Sequence, residues 1–134
     1  MIDKSELDRA FDARFAPEIK AKLQAARVAV AGLGGLGSNI AVMLARSGVG
    51  HLKLVDFDKV DVTNLNRQMY GIPHLGRFKT DAVRDILADI NPYLDIETVC
   101  TTVTPENAVE LFRGWLIVCE AFDRPEHKAM LVRT

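Results

Sequence analysis

Residues 27–37 read RVAVAGLGGLG, a short apolar run that leads into four closely spaced glycines. The residues that follow, SNIAVMLARSGVG at 38–50, have the apolar spacing of a helix and a glycine stop. Residues 51–58, HLKLVDFD, then have the character of a second strand that ends in carboxylates. Strand, glycine turn, helix and strand in this order predict a right-handed βαβ unit, with a ligand at the carboxyl ends of its parallel strands.

The glycines of residues 32–37, GLGGLG, satisfy the GxGxxG pattern directly after a strand and before a helix, the context in which the pattern is informative. Gly32 suits the tight turn, Gly34 the close approach of phosphates to the backbone, and Gly37 the close packing of helix on strand. Gly35 belongs to the same turn, whose helix N-terminus offers unpaired N–H groups and a partial positive charge. The turn is therefore predicted to bind phosphate.

A carboxylate ends the second predicted strand. Asp56 lies nineteen positions beyond Gly37, where an acidic side chain can accept hydrogen bonds from ribose hydroxyls. Asp58 is the second candidate, since it shares the strand parity but lies further into the loop. Together with the glycines these residues predict an adenine nucleotide, and they do not separate NAD from ATP.

The polar, turn-rich segment 60–77 is predicted to be a functional loop. Within it, residues 64–68 read NLNRQ, and Lys79 follows at the start of the next predicted helix. Attack of a carboxylate on an α-phosphate expels pyrophosphate, so fixed cations near the leaving group stabilise the transition state. The predicted nucleotide-binding residues of this loop and of the start of the next helix are Asn64, Asn66, Arg67, Gln68 and Lys79. A hydride-transfer enzyme does not need this cluster, so the cluster favours ATP.

Asp123 follows the fourth predicted strand and is therefore expected at the same edge of the sheet. Magnesium prefers one or two carboxylates together with phosphate oxygens and waters, so Asp123 is the candidate Mg²⁺ ligand. The alternative is structural, because Asp is a common N-cap and Pro125 would suit the first turn of a following helix.

The whole chain is predicted to have an α/β fold, a Rossmann-like parallel sheet flanked by helices. Residues 1–25 form an N-terminal helical segment interrupted at Pro17, and residues 26–134 form the ATP-binding domain. The remaining elements are predicted as a helix over 78–90, a strand over 94–103, a helix over 105–112, a strand over 115–120 with both faces buried, and a helix from 124. Because the last helix is cut short, we expect the domain to be incomplete at its C-terminus.

Composition excludes several classes of function. The 134 residues, 49% of them apolar, suit one domain. Because 17 basic residues face 18 acidic ones, the protein has no overall positive charge that would hold it on nucleic acid or on an anionic membrane. A charged N-terminus and the absence of a long apolar run predict a cytoplasmic protein. Cys100 and Cys119 lack a CxxC partner, so they are predicted to be small core residues and give no support for zinc.

These motifs resemble the ThiF/MoeB/HesA family, which is related to ubiquitin-activating enzymes. The resemblance covers roughly Arg14 to the end and is carried by AGLGGLGSN, LVDFDKVDVTNLNRQ, GRFKTDA with INP, and VCEAFDRPEHKAML. The stretch EAFDRPEHKAML most resembles the shorter ThiF-type members of thiamine biosynthesis.

The resemblance implies an enzyme that uses ATP to adenylate the C-terminus of a small ubiquitin-like sulfur carrier and releases pyrophosphate. It also implies a homodimer. By motif position it assigns Gly34 and Asp56 to ATP, Asn64, Arg67 and Lys79 to the phosphates, Asp123 to magnesium, and Arg14 to the γ-phosphate bound by the other subunit.

Departures from the family keep alternatives open. Many relatives carry a Cys-X-X-Cys zinc pair, a downstream cysteine and a loop that threads the carrier tail, and none occurs in this sequence. The alternatives are a relative that serves a molybdopterin-synthase carrier, one that activates a carboxylate on tRNA, a non-catalytic scaffold, and an NAD-dependent oxidoreductase. The near-neutral charge gives no sign of a large basic surface for tRNA.

Overall fold

The structure is a computed structural model that describes residues 2–12, 16–122 and 125–133. It contains helices and strands that alternate after two N-terminal helices: α1 Lys4–Asp12, α2 Pro17–Ala25, β1 Arg27–Ala31, α3 Gly35–Arg46, β2 His51–Asp56, α4 Lys79–Ile90, β3 Asp95–Cys100, α5 Ala108–Phe112, β4 Ile117–Glu120 and α6 Pro125–Arg133. Two short 3₁₀ turns, Val62–Asn64 and Ile72–His74, lie in the loop between β2 and α4.

The four strands form one parallel sheet in the order β3-β2-β1-β4. The central strand β1 pairs with both neighbours, so that Val30 lies opposite Leu54 on one side and Cys119 on the other. The chain moves outward from β1 to β2 and β3, and then crosses back to place β4 on the other side. Such a reversal of strand order opens a crevice at the carboxyl ends of β1 and β4, the place where ligands of open α/β sheets bind.

The larger part of the core lies between the sheet and helices α3 and α4. Leu33, Leu52, Leu54 and Leu87 are fully buried there. A smaller cluster around Val55 packs against α5 and α6 on the opposite face, because successive side chains of a strand point to opposite faces. The glycine turn is thus set on a tightly packed layer.

Among the described residues, no helix is both long and apolar enough to cross a bilayer.

Two predictions about burial are wrong. The strand at 115–120 is not buried on both faces, since Leu116 is 89% exposed and Ile117 is 49% exposed. The reason is its position, because β4 pairs only with β1 in the described sheet and its outer edge is open. Cys100, predicted to lie in the core, is exposed at the end of the other edge strand, β3, whereas Cys119 is half-buried against the core.

Element boundaries also differ in places from the sequence-based ones. Helix α3 begins at Gly35 rather than at residue 38, so two glycines of the motif belong to its first turn. Helix α5 begins at Ala108 rather than at 105, because Asn107 closes a turn in which its Oδ1 accepts the Thr104 N–H at 2.8 Å. The strand predicted over 94–103 ends at Cys100.

Candidate functional site

The glycine turn between β1 and α3 is tight enough to require glycine at two positions. Gly32 has a φ of 100°, and a Cβ built on it would lie 2.8 Å from the Ala121 carbonyl oxygen of the neighbouring β4 segment. A Cβ on Gly37 would lie 1.7 Å from the Gly32 carbonyl oxygen. The helix therefore starts in direct contact with the turn, and its N-terminus lies at the carboxyl edge of the sheet.

This turn presents a run of backbone amides without partners. The N–H groups of Gly34, Gly35, Leu36 and Gly37 make no hydrogen bond within the described part of the chain. The carbonyl of Gly34, in contrast, accepts both the N–H and the hydroxyl of Ser38. Four consecutive unpaired donors at the positive end of a helix form a site that suits an anion such as phosphate.

Asp56 ends β2 beside this turn, and it already makes two hydrogen bonds. Its Oδ2 accepts the Leu33 N–H and its Oδ1 accepts the Asp58 N–H, each at 2.7 Å. A carboxylate oxygen can accept more than one hydrogen bond, so Asp56 retains capacity for a ribose hydroxyl. Asp58 is exposed, and its carbonyl accepts the Lys79 N–H at 2.9 Å. The ribose role of either residue stays a prediction.

Tyr70 is a buried residue of the site that the sequence did not reveal. It is 4% exposed, and its hydroxyl donates a 2.6 Å hydrogen bond to the Leu33 carbonyl oxygen. Burial raises the pKa of the Tyr70 hydroxyl well above its ordinary value, and the nearby Asp56 carboxylate raises that pKa further. The hydroxyl therefore stays protonated and remains a donor.

Burial of neutral Tyr70 gives a testable alkaline dependence. An exposed tyrosine ionises at about pH 10. Because the pKa of Tyr70 is raised in the folded state, its contribution to stability is full below about pH 10 and is lost as the pH rises above it. We expect the free energy of unfolding to fall less steeply above that pH in Tyr70→Phe than in the wild type, measured by urea unfolding. Parallel profiles would contradict this.

The loop after β2 places Arg67 beside the start of α3. The Arg67 side chain runs along Gly35, since a Cβ on that glycine would lie 3.6 Å from Arg67 Cγ. Its Nη1 donates to the Thr63 carbonyl at 3.0 Å and to Asn66 Oδ1 at 3.1 Å. Asn39 ties loop and helix together, because its Nδ2 donates to the carbonyls of Gly35 and Arg67. Arg67 is exposed, so its guanidinium is accessible to a ligand.

The amides of the NLNRQ segment are used differently from one another. Asn64 Oδ1 accepts the Asp61 N–H at 2.8 Å and so closes a capping box on the first 3₁₀ turn. Asn66 is exposed and orients Arg67. Gln68 is 7% exposed, and its Oε1 has no hydrogen-bond partner among the described residues. Asn64 and Asn66 thus have local structural roles, and a nucleotide role for all three amides stays a prediction.

Lys79, at the first position of α4, has a side chain that is only 6% exposed. Its ammonium makes no hydrogen bond or ion pair with a residue that the structure describes, and its Nζ is reached by solvent, since Gln68 Oε1 is the one buried side-chain nitrogen or oxygen without a partner among those residues. A covered stem and an accessible ammonium leave the charge available to a ligand. Lys79 is therefore suited to a phosphate.

Lys79→Met separates a ligand role from a structural one. Methionine keeps the length of the side chain and removes the charge, so we expect a free energy of unfolding no lower than that of the wild type. ATP affinity should fall by about tenfold or more, since a charge-assisted hydrogen bond is lost. Lys22→Met on the exposed face of α2 is the matched control. A variant that is less stable yet binds ATP normally would make Lys79 structural.

A concavity lies next to Asp56 at the carboxyl ends of the strands. It is lined by Gly32, Val55, Asp56, Phe57, Thr101, Thr102, Val103 and Phe122. The residues contributed from beyond β3 and β4 were not identified from the sequence. Their position directly after two parallel strands was the available signal, since the carboxyl ends of such strands meet at one edge.

Two predicted site residues, Arg14 and Asp123, lie outside the described residues. Three positions before Asp123 in the sequence, Glu120 holds the end of β4 in place: its Oε1 accepts the Phe122 N–H at 2.7 Å and the Lys128 ammonium at 2.9 Å. Across residues 2–12, 16–122 and 125–133 there is no group of three or more His, Cys, Asp or Glu side chains that could hold a metal ion.

Comparison with known proteins gives the family. The profile of the ThiF family matches residues 7–134. The chain belongs to the ThiF family. The resemblance seen in the motifs is thereby confirmed, as is the Rossmann-like α/β fold, which is shared with solved structures of related proteins.

The curated relatives have names of two kinds, a tRNA dehydratase and adenylyltransferase/sulfurtransferases. The tRNA threonylcarbamoyladenosine dehydratase of Haemophilus influenzae is 37% identical over 120 residues, which is 88% of this chain and 46% of that protein. The probable adenylyltransferase/sulfurtransferase MoeZ of Mycobacterium tuberculosis is 40% identical over 103 residues, 76% of this chain and 26% of that protein. The chain thus spans less than half the length of these relatives.

Solved structures of two related proteins, TcdA and MccB, are similar to this chain. The E. coli tRNA N6-threonylcarbamoyladenosine dehydratase TcdA in complex with AMP superposes with a TM-score of 0.90 at 31% identity, covering 98% of this chain and 55% of that one. Its complex with ATP gives a TM-score of 0.90 at 30% identity, with 98% and 56% covered. E. coli MccB with ATP gives a TM-score of 0.74 at 28% identity, with 80% and 32% covered.

Proposed function

We propose that this chain binds ATP at the glycine turn and transfers its adenylyl group to a carboxylate, with release of pyrophosphate. The observation that carries the proposal is the run of four unpaired amides at residues 34–37, with Arg67 alongside. The AMP and ATP complexes of the related TcdA support the choice of nucleotide. A dinucleotide would also suit a glycine turn. However, hydride transfer expels no pyrophosphate, so it does not need the cations Arg67 and Lys79 to stabilise a leaving group.

The reaction follows from where charge develops. An oxygen of the acceptor carboxylate attacks the α-phosphorus, a new P–O bond forms, and the bond from that phosphorus to the bridging oxygen of the β-phosphate breaks. Negative charge then builds on pyrophosphate. Arg67 and Lys79 stabilise that charge, and the amides of the turn hold the phosphates in line for attack.

The nucleoside end of ATP is assigned to the concavity beside Asp56. The Asp56 carboxylate accepts the ribose hydroxyls, and the wall formed by Thr101, Val103 and Phe122 provides apolar contact for the base. Magnesium would enter with the triphosphate and neutralise part of its charge, with Asp123 as its candidate ligand. Arg14 of a second subunit is the candidate for the γ-phosphate, a role that requires a homodimer. We place this homodimer in the cytoplasm.

Two acceptors compete. The motifs favour the C-terminus of a ThiS-type sulfur carrier in thiamine biosynthesis, or of a related carrier such as that of molybdopterin synthase. A carboxylate on modified tRNA is favoured by a different observation, the TM-score of 0.90 and 98% coverage with TcdA. Both acceptors undergo the same adenylation step, so the site described above serves either.

Acceptor-dependent ATP–pyrophosphate exchange tests the proposal. Radiolabelled pyrophosphate should enter ATP when a ThiS-type carrier or N6-threonylcarbamoyladenosine-containing tRNA is added, and the active acceptor identifies the substrate. A carrier with its terminal carboxylate amidated is the matched control, because it lacks the attacking group. Exchange with neither acceptor, together with tight binding of NAD, would overturn the proposed function.

A further inference from the structure

Leu33, one of the two leucines in the glycine turn, has both its N–H and its carbonyl held by side chains that come from other parts of the chain. The Leu33 N–H donates to Asp56 Oδ2 at 2.7 Å, and the Leu33 carbonyl accepts the Tyr70 hydroxyl at 2.6 Å. No backbone amide reaches that carbonyl among the described residues, although the Gly37 N–H, one helical turn on, is the usual donor to it. The carbonyl therefore depends on Tyr70.

Holding a carbonyl also fixes the amide on the other side of the same peptide bond. The peptide is planar and trans, so the Leu33 C=O and the Gly34 N–H point in opposite directions. With the carbonyl directed at Tyr70, the Gly34 N–H points away from the buried layer in which Tyr70 lies. That amide is the first of the four unpaired donors at residues 34–37.

Tyr70 is itself held in place, so it can impose this direction. Its side chain is 4% exposed, and its ring meets the His74 ring edge-on at a centroid separation of 6.3 Å and an interplanar angle of 71°. The preceding residue, Met69, donates its N–H to the buried Ser38 hydroxyl at 3.2 Å, which joins this part of the loop to α3. Contacts of the residues before and after Tyr70 in the chain therefore fix the position of its hydroxyl.

We propose that Tyr70 is a positioning residue whose hydroxyl orients the Leu33–Gly34 peptide so that the Gly34 N–H faces the phosphates of ATP. This rests on the proposed function, because it concerns the same ligand. Asp56 fixes the preceding peptide, Gly32–Leu33, by accepting the Leu33 N–H. The two side chains together hold the turn in the conformation that accepts phosphate. Tyr70 does not touch the nucleotide, and it acts through the backbone.

Comparing ATP with adenosine isolates this role. Tyr70→Phe removes one oxygen and leaves the ring, so the peptide is released while the Asp56 contact to Leu33 remains. We expect ATP to bind about tenfold more weakly, because binding must then order a peptide that the hydrogen bond no longer holds. Adenosine, which has no phosphates, should bind as it does to the wild type. The dissociation constants are measured by calorimetry on the full chain.

Tyr93→Phe is the matched control, since it is the same substitution at the other tyrosine. The Tyr93 hydroxyl donates to the Ile2 carbonyl at 3.0 Å, next to α1 and away from the glycine turn. We expect both affinities to be unchanged in this variant. Equal weakening of ATP and adenosine in Tyr70→Phe would mean general loosening and would overturn the positioning role, as would wild-type affinity for ATP.

Solvent exchange of the Gly34 amide proton, measured by NMR on the wild-type chain, provides a second measurement in case Tyr70→Phe does not fold. If the Gly34 N–H faces the phosphates, ATP should slow its exchange and adenosine should not, because the amide is unpaired without a ligand. Exchange that ATP leaves unchanged would overturn the proposal. Wild-type chain that binds adenosine but not ATP would overturn both this role and the proposed function, whereas a silent Tyr70→Phe in a chain that binds ATP overturns the positioning role alone.

Discussion

Replacing Arg67 with alanine is expected to lower acceptor-dependent ATP–pyrophosphate exchange by a factor of about 10²–10³, the usual cost of removing one preorganised electrostatic donor. The side chain lies along Gly35, and its guanidinium is accessible beside the unpaired amides of the turn. Its contribution grows as charge builds on pyrophosphate, so kcat should fall more than ATP affinity. The free energy of unfolding should change little, because Arg67 is exposed.

Arg46→Ala provides the comparison for this variant. Arg46 is an exposed arginine in the last turn of α3, at the far end of the helix whose first turn borders Arg67. We expect exchange at the wild-type rate. If Arg67→Ala also exchanged normally, the chain would be a binding module that keeps the fold without catalysing adenylation, and the role given to the cation would be wrong.

Replacing Gly37 with alanine is expected to have the largest effect on stability. The added Cβ would lie 1.7 Å from the Gly32 carbonyl oxygen and 3.3 Å from the Ala121 Cβ. The Gly32 backbone cannot move away easily, because its N–H donates to the Val55 carbonyl at 2.9 Å and its φ is 100°. We expect a loss of about 3 kcal/mol in the free energy of unfolding, measured with urea.

Gly35→Ala is the matched control within the same turn. Its Cβ would meet the Arg67 Cγ, Cδ and Nε atoms at 3.6, 3.8 and 3.9 Å, which is ordinary contact, and alanine is the better helix former. This variant should be as stable as the wild type or slightly more stable. Equal stability of the Gly37 and Gly35 variants would contradict the packing described for the turn.

Local patterns were enough to predict most of the fold. The apolar residues of RVAVA and HLKLVD are buried because helices cover their strands, and glycines placed between a strand and a helix are typical of a phosphate-binding turn. The failures concern position in the sheet. WLIVCE is as apolar as a central strand, but the order β3-β2-β1-β4 places it at an edge, and strand order depends on long-range packing that no local pattern carries.

The candidate site was predicted less completely than the fold. Gly37 and Asp56 could be found because fixed spacings place them in a βαβ unit. Tyr70 could not, since a tyrosine in a loop gives no sign that its hydroxyl reaches the Leu33 carbonyl 37 positions earlier. Asn64 was interpreted as a phosphate ligand although its Oδ1 caps a turn, because an amide suits either use.

Titration of the chain with ATP and with NAD, followed by calorimetry, tests the central claim most directly. The glycine turn alone accepts either nucleotide, and the choice between them depends on the two cations Arg67 and Lys79. We expect ATP to bind and adenosine to bind more weakly, with NAD failing to displace ATP at comparable concentrations. Tight binding of NAD with no measurable binding of ATP would contradict the assignment of this site to adenylyl transfer.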